Sequence, residues 1–329
     1  MKHLLLLGAG FSHNWGGWLP AEAFEYLLGC TQIDADLHGL LLRHRRADGF
    51  QGALGELQTE FFRSMDSASR ERLEKLQDAT AQMFAAMDEG FAATQFEFQT
   101  DVRYLVEGFM ARFDPIFTLN QDLLLERHYL SSGALANSGR WKGGQILAVR
   151  PQNPDITHLQ TRAGYDNRDI FIADGDLSVH DRLQPYIKLH GSINWRDGNH
   201  PWLMVMSANK PSGAAIATPM IDHFPVLGKL RGVFAEYLSS GPVRLMSIGY
   251  SFGDEPINDM LVSAGAAGRL KIFIVDPLGL EILDRQRFLS ERPLLIQLGP
   301  HVIGASRRSL RETFGANHVE HAKLSRFFG

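Results

Sequence analysis

The sequence of 329 residues contains a single cysteine, Cys30. One cysteine permits no disulfide within the chain, and it excludes every zinc site built from several cysteines. This usage is typical of a reducing compartment, so we expect a cytoplasmic protein without a structural zinc ion. No stretch approaches the ~20 consecutive apolar residues of a membrane span. The apolar run Leu4–Leu7 is broken by Gly8 and Gly10, too early for the apolar core of a signal peptide.

An excess of basic charge is also missing. The 33 lysines and arginines are outnumbered by 37 aspartates and glutamates, and the formal net charge is -4. A nucleic-acid-binding protein usually carries a basic surface, so direct nucleic-acid binding is not expected. Arg43, Arg45 and Arg46 form one local cluster, which we interpret as a solvated surface. With 44% hydrophobic residues the chain is typical of a globular protein, and we interpret residues 1–329 as a single domain.

Short apolar runs without alternating polar residues predict strands that are buried on both faces. Such runs lie at Leu4–Leu7, Pro115–Leu119, Tyr186–Leu189, Val243–Ile248, Leu270–Val275 and Leu294–Leu298. Apolar residues at helical spacing precede two of them, from Val102 to Phe113 and from Leu227 to Leu238. Strands that alternate with helices indicate an α/β fold, here a Rossmann-like, mostly parallel sheet with helices on both faces.

Two stretches depart from this alternation. Residues 31–112 are rich in Glu, Gln, Ala, Leu and Met and contain no proline, which predicts a helical insertion between the first two strands. Residues 131–183 are rich in Gly, Asn, Asp and Thr, which predicts a loop-rich insertion with a few short strands over the sheet edge.

Four of the predicted strands end in loops of small and polar residues. These loops are Gly8-Ala9-Gly10-Phe11-Ser12, Thr118-Leu119-Asn120-Gln121-Asp122, Leu189-His190-Gly191-Ser192 and Gly249-Tyr250-Ser251-Phe252. Because a parallel sheet binds ligands beyond the carboxyl ends of its strands, the four loops together predict a nucleotide site. The first loop would let the backbone approach a pyrophosphate, with the N–H groups of the following helix facing it. A plain strand-to-helix turn would need the same glycines, so this loop alone does not decide.

Two loops carry side chains suited to chemistry. Asn120 ends one strand, where its amide would orient water or ribose hydroxyls, although asparagine also suits a turn. His190 ends another, and Gly191 leaves room for a ligand beside the imidazole. Histidine titrates near neutrality, which suits proton transfer, although a lone histidine at a strand end is usually structural. Asp122 is a third candidate, either beside the reacting ribose or as a helix cap.

The remaining loops suggest further nucleotide contacts. Gly249 and Ser251 suit a phosphate or a ribose, and Asp276 after the next strand would accept hydrogen bonds from a ribose hydroxyl or form a turn before a proline. Asp254 predicts only the cap of a helix with a proline in its first turn.

Two other kinds of site fit less well. A dehydrogenase would need glycine where His13 stands and an acidic residue after a second strand, about 20 residues on. Asp34 and Asp36 lie near that distance, but no apolar strand precedes them. His318 and His321 would supply only half of a metal site.

In this order the segments resemble those of the sirtuin superfamily. Gly8–Ser12 is similar to its first nucleotide loop, and Thr118–Asp122 to its Thr-Gln-Asn-Ile-Asp motif with two exchanges. Leu189–Gly191 matches its catalytic His-Gly, and Gly249 with Ser251 matches its Gly-Thr-Ser loop. A bacterial sirtuin-like branch associated with antiphage defence is more similar still. Its Leu-His-Gly-Ser-Ile-x-Trp and Gly-Tyr-Ser-Phe-x-Asp-x-x-Ile-Asn runs appear here as Leu189–Trp195 and Gly249–Asn258.

The resemblance implies a function and a set of site residues. That branch hydrolyses NAD⁺ to nicotinamide and ADP-ribose, so NAD⁺ is the expected substrate. Asn120, His190 and Asp122 would be catalytic. The nucleotide would contact Gly8, Ala9, Gly10, Phe11, Ser12, Gly249, Ser251 and Asp276. The four-cysteine zinc module of sirtuin deacylases is missing, and His13–Trp18 replaces their Gly-Ile-Pro-Asp-Phe-Arg segment, which weighs against deacylation.

Two alternative functions stay open. One is a non-catalytic module that senses NAD⁺ or ADP-ribose and acts through oligomerisation; the other is an NAD⁺-dependent deacylase or ADP-ribosyl transferase. Because unchecked loss of NAD⁺ would kill the cell, we expect a homo-oligomer or a separately encoded trigger to control the enzyme. An ATPase, a helicase or an Argonaute-like protein would suit that role, with the helices of 31–112 as the contact surface.

Overall fold

A computed structural model describes residues 1–46, 49–130, 135, 138–152, 170–196, 224–284 and 293–329. In these parts of the chain, no helix combines the length and the apolar character that crossing a membrane requires.

The core is a seven-stranded sheet. In chain order its strands are β1 (Lys2–Leu7), β2 (Ile116–Thr118), β3 (Gly143–Ile146), β6 (Leu183–Lys188), β8 (Val243–Ile248), β9 (Leu270–Val275) and β10 (Val302–Ser306). Their order across the sheet is β10-β9-β8-β1-β2-β6-β3, and every neighbouring pair is parallel. Leu4–Leu7 of β1 are fully buried, and because successive side chains point to opposite faces, both faces of the sheet are covered. The predicted α/β Rossmann-like fold is confirmed.

Along the chain the helices lie between these strands, except for the last two, which follow β10. They are α1 (Ala9–Ser12), α2 (Pro20–Leu28), α3 (Ala35–His44), α4 (Gly49–Ser64), α5 (Ser67–Ala92), α6 (Val106–Met110), α7 (Pro225–Ser239), α8 (Glu255–Ala266), α9 (Leu294–Leu298), α10 (Leu310–Gly315) and α11 (His318–Ser325). A π-helical turn covers Glu126–Leu130 after β2, and short 3-10 turns join several of the other elements. The predicted helix over Leu227–Leu238 is confirmed as part of α7.

The two predicted insertions differ in how fully they are described. Residues 31–112 contain α3, α4, α5 and the short α6. Within 131–183, residues 131–134, 136, 137 and 153–169 lie outside the described residues. The rest contains β3, on the edge of the main sheet, and β4 (Val149–Pro151) and β5 (Phe171–Ala173), which form a small sheet with β7 (Trp195–Arg196).

Two sequence predictions are wrong. Leu294–Leu298 is helix α9, with Leu294 and Leu298 buried one turn apart and Ile296 exposed; the strand follows at Val302–Ser306. An apolar run of five residues has no periodicity that separates a strand from a buried helical turn. The helix expected over Val102–Phe113 is divided into a 3-10 turn and α6, because the Glu97 carboxylate accepts the N–H groups of Val106 and Glu107 and starts α6 there.

The strand order places a crevice in the middle of the sheet. From β1 the chain continues on one side to β2, and it returns on the other side with β8. In open α/β sheets, the ligand crevice lies at the carboxyl ends of the strands where the order reverses. Here that place is the junction of β1 and β8, where the first and fourth loops meet.

Candidate functional site

The glycines of the first and fourth loops let two backbones cross in contact. Gly8 N–H donates to Ile248 O (3.1 Å), and Gly10 N–H donates to Gly249 O (3.0 Å). Gly249 has φ of 62°, and a Cβ there would lie 2.3 Å from the carbonyl carbon of Gly10. A Cβ on Gly8 would lie 2.5 Å from Gly249 O. The crossing therefore requires glycine for the packing of the loops, and it leaves a floor without side chains.

The helix after the first loop is shorter than expected. α1 is a single turn, and the N–H groups of Gly10 and Phe11 donate to Gly249 O and Gly8 O. These two N–H groups are already used within the protein and are not available to a ligand, contrary to the expectation for this loop. Phe11 and Ser12 are buried beneath it, at 1% and 2% exposure. Phe11 packs against Trp15, so the pair supports the loop from below.

Asn120 is held by two hydrogen bonds from its amide nitrogen. Nδ2 donates to Gly8 O and to Ser12 Oγ, both at 3.0 Å. The side chain thus joins the loop after β2 to the loop after β1. Among the described residues no protein group bonds to Oδ1, so this oxygen remains as an acceptor at the cavity that Asn120 lines.

Asp122 lies directly behind Asn120. Its Oδ2 accepts from Ser12 Oγ at 2.8 Å, and its Oδ1 accepts from Leu124 N–H at 3.1 Å. Burial raises the pKa of Asp122, although the nearby Lys188 charge and the hydrogen bond from Ser12 oppose the shift. Both oxygens have protein partners, and Asp122 therefore orients Ser12 and, through it, the amide of Asn120.

A buried ion pair lies below this network. Lys188 Nζ donates to Glu126 Oε1 at 2.6 Å and to the backbone oxygen of Asp122 at 2.7 Å, and both side chains are at most 1% exposed. Burial raises the pKa of Glu126 in spite of the Lys188 charge. The pair ties β6 to the turn after β2, and so fixes the distance between the strands that carry His190 and Asn120.

His190 is bound to a carboxylate that arrives from the opposite side of the crevice. Its Nε2 lies 2.7 Å from Asp254 Oδ2, and the imidazole is 8% exposed where it lines the cavity. Gln121 Nε2 donates to the backbone oxygen of His190 at 3.3 Å. In the part of the chain that the structure describes, no protein group bonds to Nδ1. The ring therefore has one nitrogen fixed by Asp254 and one available to a ligand.

Asp254 also performs the predicted helix-capping role. Its Oδ1 accepts from Ile257 N–H at 3.0 Å, which confirms it as the N-cap of α8. Burial alone would raise the pKa of Asp254, but the hydrogen bond from His190 and the charges of His190 and Arg231 outweigh it, so the pKa lies below its ordinary value. Arg231 Nη2 is 3.7 Å from Asp254 Oδ2.

Ser251 and Asp276 lie on the other half of the crevice. Ser251 is exposed in the loop after β8, and Asp276 follows β9; both line the cavity. Asp276 Oδ1 accepts from Leu278 N–H at 2.9 Å, so it forms the turn that the sequence suggested as one of two roles.

The loop after β8 also has the Gly-x-Ser-x-Gly pattern that marks a serine nucleophile in α/β hydrolases, with Ser251 at its centre. In those enzymes the serine itself occupies the strained turn position. Here the positive φ angles belong to Gly249 (62°) and Phe252 (55°). Ser251 therefore lacks the backbone geometry of such a nucleophile.

One cavity of about 1160 Å³ connects these groups. Gly8, Gly10, Asn120, His190, Ser251 and Asp276 all line it. The helices between β1 and β2 also contribute to its wall: Phe50 of α4 and Met83, Phe84 and Met87 of α5 form an apolar part, and Arg45 and Gln51 belong to the same lining. The cavity thus combines polar groups along the sheet edge with an apolar wall on α4 and α5, as expected of a small-molecule site. No cluster of three or more metal-ligating side chains occurs among the described residues.

Sequence reasoning missed two groups. Asp254 was predicted only as a helix cap, and its bond to His190 joins residues 64 positions apart. The apolar wall on α5 gave no signal either, because Met83 and Met87 have the spacing of ordinary core positions.

The chain matches no protein-family model, and comparison with the curated proteins finds no significant match.

Proposed function

We propose that this protein is a cytoplasmic, sirtuin-like NAD⁺ glycohydrolase that cleaves the bond between nicotinamide and ribose. The products are nicotinamide and ADP-ribose, and the biological role is NAD⁺ depletion during antiphage defence. NAD⁺ is the substrate, and the reaction uses no zinc ion.

The order of side chains along the sheet edge carries this proposal. Asp276 follows β9, Ser251 follows β8, Gly8 and Gly10 follow β1, Asn120 follows β2, and His190 follows β6. These are five consecutive strands, so the row spans about 19 Å at ~4.8 Å per strand. The sequence of groups suits an extended dinucleotide, with the adenosine ribose at Asp276, the pyrophosphate over the glycine floor, and the reacting ribose between Asn120 and His190.

Cleavage of NAD⁺ requires few catalytic groups from the protein. In NAD⁺ the nicotinamide is bound as a cation and leaves as a neutral molecule, so no general acid is needed, unlike the paired carboxylates of ordinary glycosidases. What remains is to orient the ribose and a water molecule and to accept a proton. Asn120 Oδ1 would orient the water or a ribose hydroxyl, and His190 Nδ1 would accept the proton, a contribution of about 10²–10⁴-fold.

The test measures nicotinamide release from NAD⁺ by the purified protein, both as a monomer or small oligomer and in its larger assembled form. Asn120→Ala and His190→Gln are expected to lower kcat by about 100-fold or more, because each removes one of the two groups beside the reacting ribose. His180→Ala, at an exposed position before β6 and away from the cavity lining, is the matched control and should release nicotinamide as wild type does. Release by both variants at the wild-type rate would reject the site.

Other results of the same experiment select the alternatives. Saturable NAD⁺ binding without turnover in any assembly state identifies a sensing module. Label from NAD⁺ on an acyl group or a protein, rather than in free ADP-ribose, identifies a deacylase or a transferase.

Control of the activity completes the proposal. The enzyme would be inactive until a homo-oligomer forms or a separately encoded partner binds, with the outer face of α3–α5 as the contact surface. These helices also build the apolar wall of the cavity, so a contact there would act directly on the site.

A further inference from the structure

We infer that Asp254 is a positioning residue that fixes the tautomer of His190, so that Nδ1 is the basic nitrogen facing the cavity. The inference deepens the proposed function and rests on it for the identity of the reaction. The orientation of the imidazole can nevertheless be measured without any reaction.

The hydrogen bond between His190 and Asp254 determines which imidazole nitrogen carries the proton. His190 Nε2 lies 2.7 Å from Asp254 Oδ2, and both residues are more than nine-tenths buried. An ionised carboxylate only accepts hydrogen bonds, so Nε2 must carry the proton. In the neutral imidazole, Nδ1 then has the free lone pair. A water molecule or ribose hydroxyl in the cavity would find an acceptor there and not a donor.

The Asp254 carboxylate is held in place and cannot turn away from His190. Its Oδ1 is occupied by Ile257 N–H, the capping bond of α8. The loop that carries it is closed by Tyr250, whose hydroxyl donates to Asn258 Oδ1 at 2.8 Å, and by Asn258 Nδ2, which donates to Phe252 O at 2.7 Å. Asp254 thus presents Oδ2 to His190 from a fixed backbone.

Position 254 requires aspartate, because asparagine would not hold the His190 imidazole in the same tautomer. Asparagine caps helices as well as aspartate does, and Ile257 N–H demands an oxygen at the Oδ1 position. The amide of an Asp254→Asn variant would therefore place its NH₂ group against His190 Nε2. That group donates, so Nε2 would become the acceptor and Nδ1 would carry the proton. The variant keeps the cap and reverses the imidazole.

The experiment compares three variants with wild type. Asp254→Asn reverses the tautomer but leaves the buried Arg231 without a carboxylate, which threatens folding. The double variant Arg231→Met/Asp254→Asn removes that cation as well. Arg231→Met alone is the matched control, because it retains the bond between His190 and Asp254.

Two readouts are combined. In protein with ¹⁵N-labelled histidine, the signals lost in His190→Gln identify His190 among the 13 histidines, and two-bond ¹H–¹⁵N couplings then report its tautomer. Wild type and Arg231→Met should show the proton on Nε2, and the Asp254→Asn variants should show it on Nδ1. Nicotinamide release should fall by about 100- to 10,000-fold in kcat with KM unchanged, because only proton transfer is lost.

The proposal is overturned if wild type carries the proton on Nδ1, or if both Asp254→Asn proteins keep the wild-type tautomer or the wild-type kcat. A wild-type protein that shows the Nε2 tautomer but releases no nicotinamide would reject the proposed function and leave the positioning role intact. The two failures are therefore distinguishable.

Discussion

Gly249 is the most constrained residue at the crossing of the two loops. It combines a left-handed backbone (φ 62°) with the 2.3 Å approach of a would-be Cβ to the Gly10 backbone. Gly249→Ala is expected to lower the free energy of unfolding by about 3 kcal/mol or more, because neither backbone can move without breaking the crossing.

Gly268 offers a control with nearly the same backbone. Its φ is 69°, and nothing lies within 4 Å of a Cβ placed there. Gly268→Ala should therefore lose only the left-handed penalty of about 1 kcal/mol. Urea unfolding of both variants separates the free-energy cost of the close backbone approach from the cost of the left-handed φ. Equal losses would show that the crossing tolerates a side chain.

Asp122 gives a prediction about pH. Because burial raises its pKa in the folded protein, ionising it costs more there than in the unfolded chain. Its contribution to stability is full below the ordinary carboxyl pKa, about 4. It is lost as the pH rises through the raised value. Asp122→Asn keeps the acceptor for Leu124 N–H, and its NH₂ group would donate to Ser12 Oγ in place of the bond that Oδ2 accepts. Because asparagine does not ionise, the stability difference between variant and wild type should grow in favour of the variant from pH 5 to pH 8. A difference independent of pH would contradict the raised pKa.

At the scale of elements, α5 and the turn after β2 are joined by a largely buried ion pair. Arg127 Nε donates to Asp88 Oδ1 at 3.0 Å, and Nη2 contacts Oδ2. Arg127→Met leaves a buried carboxylate without its cation and should cost about 3 kcal/mol in unfolding free energy.

Two further variants complete this test. Asp88→Leu/Arg127→Met should recover much of the loss, since no unpaired charge remains. Arg103→Met, which breaks the exposed pair with Asp101, should change the free energy of unfolding far less than Arg127→Met does, because water screens this pair. Failure of the double variant to recover would mean that Arg127 stabilises the turn through its packing instead.

The elements also show where sequence reasoning reaches its limit. β1, β8 and β9 are predictable because each lies between two other strands and most of its residues are apolar and buried. β10 is not, because it forms the sheet edge and its Val-Ile-Gly-Ala-Ser segment is only partly buried. An edge strand has only one neighbouring strand and needs fewer apolar residues. The more apolar run at Leu294–Leu298 was therefore predicted to be the strand in place of Val302–Ser306.

For the whole molecule, the residues at the strand ends were predictable and their partnerships were not. A parallel sheet brings all strand ends to one edge, which suffices to collect Asn120, His190 and Asp276 around one cavity. The bond between His190 and Asp254 depends on the strand order, because β1 and β2 lie between their strands. Local sequence contains no information about that order.

The orientation of the substrate along the sheet edge provides the last prediction. Nicotinamide mononucleotide contains the reacting half of NAD⁺ but nothing that reaches β9. Asp276→Asn keeps the Oδ1 bond to Leu278 and replaces the second carboxylate oxygen by an NH₂ group. It should lower kcat/KM for NAD⁺ by about 10- to 100-fold, the value of a charged hydrogen bond to a ribose hydroxyl.

The same variant should cleave the mononucleotide as wild type does, because that substrate never contacts position 276. His190→Gln is the converse control and should impair both substrates alike, since the reacting ribose is common to them. Equal losses on both substrates in Asp276→Asn would contradict this orientation, because position 276 would then either contact the reacting half of NAD⁺ or act through the fold.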